Sequence, residues 1–142
     1  MNKDRKSSTQ MLFETPNAQD LLKLPCLDLD QINFLSATAG DSACEFFRDV
    51  IDAYKAECKA CIEEFSTACS LQALNRIERS AHAIAGSSAN LGLVRLAKLC
   101  KNIENACLSG VFNSFDASLK ELNHELECAF HALEDYFLKL GK

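Results

Sequence analysis

The stretch with the most chemical character is Ser80-Ala81-His82-Ala83-Ile84-Ala85-Gly86-Ser87-Ser88-Ala89-Asn90-Leu91-Gly92. It lies in a helical pattern, yet it holds Gly86 where a helix interior loses roughly 0.5–1 kcal/mol relative to alanine. Leu71, Leu74, Ile77, Ala81, Ile84, Ser88 and Leu91 recur at three and four residues and define the inward stripe. His82 is one residue past Ala81, about 100° around the axis, so it points sideways or outward. Beyond it the surface offers Ala85, Gly86 and Ala89, a flat platform open to a large partner. A histidine of ordinary pKa, about 6.5, is mostly neutral and nucleophilic at pH 7. Such a ring needs its second nitrogen oriented by a hydrogen bond, from a partner the sequence does not name.

The surrounding residues divide between support and packing. Ser87 offers a hydroxyl to an anion or to the backbone, whereas Ser88 falls on the inward stripe. Arg79 shares a face with His82 at a spacing of three. Arg95, Lys98 and Lys101 follow the Gly92 turn, on a helix expected to run antiparallel and to reach the same rim. For each cation the alternative is a solvated surface charge. For Gly86 it is close packing between helices of the same chain.

The elements that position these residues are all helical. Asp28 or Asp30 caps a short helix that buries Ile32, Phe34 and Leu35 and stops at Gly40. Asp41 caps a long helix carrying Phe47, Val50, Ile51, Tyr54, Cys58, Cys61, Phe65 and Ala68. Ser70 caps the helix of His82, which ends at Leu91-Gly92. Leu93, Leu96, Cys100, Ile103 and Cys107 face inward on the next, stopped by Ser109-Gly110. The last begins near Ser114 and holds a heptad-like seam of Phe115, Leu119, Leu122, Leu126, Ala129, Leu133, Tyr136 and Leu140. No stretch alternates as a strand does. The expected fold is all-α: an antiparallel up-down four-helix bundle with an additional short N-terminal helix and a mobile N-terminal arm. Residues 1–20 form the arm and residues 21–142 the bundle domain.

Composition sets limits on function. A net charge of −5 argues against a nucleic-acid surface. No apolar run approaches the 18 residues of a membrane span, and the polar start has no secretory h-region. Together with eight cysteines these features indicate a cytoplasmic protein whose thiols are reduced and mostly buried. Cys58-x-x-Cys61 lies inside a helical pattern on the buried stripe and reads as packing. His124 and His131 are seven apart on an outer face, too far for a metal pair. Phe130 and Phe137 either widen the core or form an exposed stripe. No metal site or cofactor is expected, and no glycine loop for a nucleotide is present.

The run from His82 through Gly86-Ser87 and Leu91-Gly92 to Leu96, Cys100, Ile103 and Glu104 resembles the histidine-containing phosphotransfer (HPt) domain of multistep phosphorelays. The looser likeness extends from about Leu27 to Leu140. The resemblance implies that His82 takes a phosphoryl group from a receiver-domain aspartate and passes it to another receiver. It implies a phosphocarrier without autonomous kinase activity, with response-regulator receivers and a hybrid sensor histidine kinase as partners. Gly86 then admits a partner backbone, and Ser87 supports the phosphoryl group. Glu104 occupies a Glu/Gln position of the family pattern, where it contacts the partner or only solvates its helix. The family's usual lysine, three residues after the histidine, is Ala85 here, which leaves the counterion to Arg79, Arg95, Lys98 or Lys101. That departure keeps open a receiver-binding adaptor without transfer, and beside it a structural helical module.

Overall fold

The computed structural model describes residue 21, residues 23–110 and residues 115–140. The expected arm, residues 1–20, and the expected helix start at Ser114 lie outside the described residues. Among the described residues five α-helices follow in order: α1 (Leu29–Ala39), α2 (Ala43–Ser70), α3 (Leu74–Asn90), α4 (Val94–Leu108) and α5 (Phe115–Leu140), with a 3-10 turn Gly40–Ser42 before α2. Neighbours in sequence pack side by side, and α5 closes the ring against both α4 and α2. The result is an antiparallel four-helix bundle of α2 to α5, with α1 laid across one end.

The bundle core follows the apolar stripes. Phe47, Phe65, Ile77, Ile84, Leu93, Leu96, Leu99, Leu122 and Leu133 are almost fully buried. At roughly 1.5–3 kcal/mol for each large side chain taken out of water, this burial drives the assembly. One polar pair sits inside it: the Tyr54 hydroxyl lies 2.6 Å from Ser88 Oγ. Both residues are buried, so leaving either unpartnered costs about 1–3 kcal/mol, and the pair sets the register of α3 on α2.

Two boundaries and the burial within α1 differ from the expectation. Ser42, not Asp41, precedes α2, because the chain first makes the 3-10 turn that contains Asp41. Ser70 is the last residue of α2 rather than a cap of α3, and residues 71–73 make the reversal. Gln72 adopts a left-handed φ of 54° there, and Leu71 is consequently exposed instead of joining the stripe. In α1 only Ile32 is buried; Phe34 is largely exposed and Leu35 half-buried, because α1 meets the bundle along a narrow seam.

That seam is polar as well as apolar. Asp28 caps α1 through Gln31 N, and Gln31 Nε2 donates to the carbonyls of Ala89 (2.7 Å) and Asn90 (3.0 Å) at the end of α3. Tyr136 on α5 donates to Asn33 and lies 2.9 Å from Ser36 Oγ. The α3–α4 turn passes under this strap: Asp28 N donates to Gly92 O at 2.7 Å. Gly92 has φ +76°, and a Cβ there would stand 3.3 Å from Asp28 O. Gly92→Ala is therefore expected to lower stability by about 1–2 kcal/mol, the usual cost of forcing a side chain into the left-handed region. Urea unfolding at unchanged m would check it; an unchanged midpoint would show that the turn rearranges freely.

Candidate phosphoryl-acceptor site

His82 stands on the flank of α3 that faces α4. Its neighbours Ala81 and Ile84 are buried, while its own side chain is 69% exposed. The register fixed by Tyr54 and Ser88 places it there, and α4 supplies its partner. Glu104, buried at 5% exposure, sets Oε2 2.8 Å from His82 Nδ1. Its other oxygen accepts from Lys101 Nζ at 3.3 Å.

The protonation of this pair follows from the carboxylate. Burial by itself would push the Glu104 carboxyl up, but the hydrogen bonds from His82 and Lys101 outweigh it and hold the group below its ordinary range. An ionised carboxylate only accepts hydrogen bonds. Nδ1 must therefore carry the proton, which leaves the lone pair of the neutral ring on Nε2. Among the described residues Nε2 has no hydrogen-bond partner. The arrangement is an exposed imidazole whose tautomer and orientation are set by a group behind it.

The remaining site residues predicted from sequence separate into two sets. Gly86 and Ala89 are exposed beside His82, and Ala85 is half-buried against the core. Among the described residues a Cβ at Gly86 would meet nothing within 4 Å, and its φ is not positive, so packing against them does not require a glycine there. Lys98 is exposed on α4. The other three are turned elsewhere. Ser87 donates to Glu57 Oε1 on α2 at 2.6 Å. Arg79 lines an open groove between α2 and α3 with Glu64, Arg76 and Cys61. Arg95 donates to the carbonyls of Leu21 and Leu24 and lies 3.9 Å from Glu125, so it ties the segment before α1 to the bundle.

Sequence reasoning missed two features. Glu104 is buried beneath His82 rather than facing a partner or water; the spacing on α4 placed it next to the inward Ile103, but only the meeting of two helices pairs it with a histidine 22 residues away. Glu78, one turn before His82, also joins the site: Glu78, His82 and Glu104 each bring a donor atom within 4.8 Å of the others. A cation there would compete with Lys101 and with the Nδ1 proton for Glu104. All eight cysteines are free thiols. Burial pushes Cys58 up to about 11, which keeps it protonated and unreactive at neutral pH. Cys61 is only half-buried. His124 and His131 are exposed, and Phe130 and Phe137 pack partly into the core, beneath Lys55 and Arg48.

The described residues thus form an all-helical bundle that presents a carboxylate-oriented imidazole on the flank of one helix. The Hpt domain family model matches residues 49–139, well over half of the chain, and the chain belongs to that family. Its structure is similar to the crystal structure of histidine-containing phosphotransfer protein B (HptB) from Pseudomonas aeruginosa PAO1, with a TM-score of 0.71 at 19% identity. The alignment covers 81% of this chain and 96% of that one, a likeness of fold. No curated protein matches the sequence significantly. Among the described residues no helix is long and apolar enough to cross a membrane.

Two outcomes follow from the site geometry. Because the folded-state pKa of Glu104 is depressed, its contribution to stability is present above the ordinary carboxyl value of 4.5 and is lost as pH falls through the folded value. Glu104→Gln should thus be less stable than the parent at pH 7, with a gap that narrows below about pH 4 in urea titrations; a constant gap would contradict the ionised pair. Gly86→Ala, with open space for its methyl group, should raise stability by about 0.5–1 kcal/mol in thermal or urea unfolding, and a loss would reveal a hidden contact.

Proposed function

We propose that this chain is a phosphorelay intermediate: His82 accepts a phosphoryl group from the aspartyl phosphate of one receiver domain and delivers it to the aspartate of another. The observation that carries this reading is the exposed imidazole whose Nδ1 is held by the buried Glu104 carboxylate. In the forward step the Nε2 lone pair forms the N–P bond, the acyl-phosphate P–O bond breaks, and the receiver carboxylate leaves with the electron pair. The Nδ1 proton stays in its hydrogen bond to Glu104, whose negative charge stabilises the positive charge the ring acquires. Delivery to the second receiver is the reverse sequence, with the phosphorylated ring as leaving group.

Gly86 and Ala89 supply the docking surface. A helix-destabilising residue with nothing packed against it among the described residues is accounted for by a partner backbone that approaches from outside. On this reading the chain is a carrier and substrate rather than a kinase, and its partners are receiver domains and the hybrid sensor kinase that bears one. On the same reading the protein works in the cytoplasm, and its net charge of −5 is consistent with that setting.

Ala85 favours one second reading, an adaptor that binds receivers without taking phosphate, because no cation stands at the position where the family usually has lysine. Phosphotransfer from a panel of phosphorylated receivers separates the two. The parent is expected to acquire an acid-labile, base-stable label that His82→Gln loses entirely. Gly86→Gln should cut receiver binding and labelling at least tenfold with helix content unchanged. Binding without any label on the parent would establish the adaptor instead, and full labelling of Gly86→Gln would move the docking face elsewhere.

A further inference from the structure

The acceptor site is unusually acidic for a group that must hold a phosphoryl anion. Glu78 and Glu104 both bring a carboxylate oxygen within 4.8 Å of a ring nitrogen of His82. A phosphoryl group adds about 1.5–2 negative charges. At the separations found in such a site, each unpaired like charge works against transfer. The lysine position of the family pattern is Ala85, half-buried and uncharged. A cation must come from elsewhere.

The surrounding cations differ in what already holds them. Arg95 is committed to the Leu21 and Leu24 carbonyls and is only 19% exposed. Arg79 lines the groove on the α2 side of α3, beside Glu64, whereas His82 faces α4. Lys98 is exposed on α4, one turn further from Glu104. Lys101 alone among these shares a partner with His82: its Nζ lies 3.3 Å from Glu104 Oε1, and Glu104 Oε2 lies 2.8 Å from His82 Nδ1. Its side chain is 55% exposed on a flexible stem, so the ammonium is free to turn.

We propose that Lys101 is the counterion of the acceptor site, with an ammonium that turns from Glu104 to the phosphoryl oxygens once the group is on His82. The proposal rests on His82 being the acceptor. Glu104 keeps the Nδ1 proton throughout, so the carboxylate remains hydrogen-bonded when the lysine turns. The counterion thus enters from the neighbouring helix rather than from the turn that follows the histidine on its own helix.

Phosphoramidate, a small phosphoryl donor, tests this without a cognate receiver. The donor's P–N bond breaks, the nitrogen takes up a proton from water and leaves as ammonia, and the Nε2–P bond forms from the ring lone pair. Site-resolved mass spectrometry follows label at His82, with the exposed His124 and His131 as internal references. At low salt Lys101→Ala should label His82 about three- to tenfold more slowly, an effect that shrinks near 1 M salt, where the Debye length is about 3 Å. Lys101→Arg and Lys98→Ala should label like the parent. Adding Ala85→Lys to Lys101→Ala should restore the rate.

Equal labelling of the parent and Lys101→Ala, with His82 still faster than the reference histidines, overturns the counterion and leaves the acceptor standing. A loss that neither salt diminishes nor Ala85→Lys restores assigns Lys101 only to positioning Glu104, and also overturns it. If His82 in the parent labels no faster than His124 and His131, the acceptor reading itself fails and the counterion falls with it.

Discussion

A carboxylate buried between two helices needs partners, and the one on α4 finds His82 and Lys101. The site's remaining properties follow from that need. Because Glu104 is held ionised by two donors, it fixes the imidazole tautomer, aims Nε2 outward and gives the exposed ring a defined orientation. Neither partner could do this from the surface alone, where a pair of charges in water is worth little. Burial of the carboxylate makes the hydrogen bond obligatory and so makes the histidine's geometry reproducible.

The rest of the bundle serves to bring α3 and α4 to this meeting. The Tyr54–Ser88 pair fixes α3 against α2 from inside. Just beyond Ser88, at the C-terminal end of α3, the Gly92 turn, clamped by Asp28 N and capped by Gln31, fixes where α4 begins. A helix pinned by its register on one side and by its exit turn on the other can slide little against its neighbour. The short α1, with few buried apolar residues of its own, is explained by this role: it straps the turn that orients the site. Arg95 joins the same scaffold, holding the segment before α1 by its carbonyls. Its approach to Glu125 is loose, and Glu125 Oε2 is buried without a hydrogen-bond partner among the described residues.

The distribution of charge around His82 separates this chain from the usual pattern of its family. A lysine on the histidine's own helix would move rigidly with it. Here the nearest engaged ammonium belongs to the neighbouring helix and is shared through a carboxylate, so the electrostatics of the site depend on how α3 and α4 are held together. If His82 is the acceptor as proposed, stability of that seam and chemistry at the ring are linked in this chain.

Much of this was legible in the residues themselves. The three-and-four spacing of apolar side chains determined which faces turn inward, and the glycines after Leu91 and Ser109 determined where α3 and α4 stop, because helix period and left-handed backbone are local properties. The exposure of His82 followed from its offset of one residue from the stripe. Helix starts were less legible: Asp41 and Ser70 have the side chains of caps, but the 3-10 turn and the left-handed Gln72 moved both boundaries, since capping residues compete with the path the chain must take between packed helices. What only the tertiary structure decided is which charge meets which. Arg79, Arg95, Lys98 and Lys101 are alike as residues near a rim, and their fates diverge because long side chains follow the nearest carbonyl or carboxylate that packing provides. The burial of Glu104 and its bond to His82 belong to the same category, for no periodicity within one helix tells which group on another will lie 2.8 Å away.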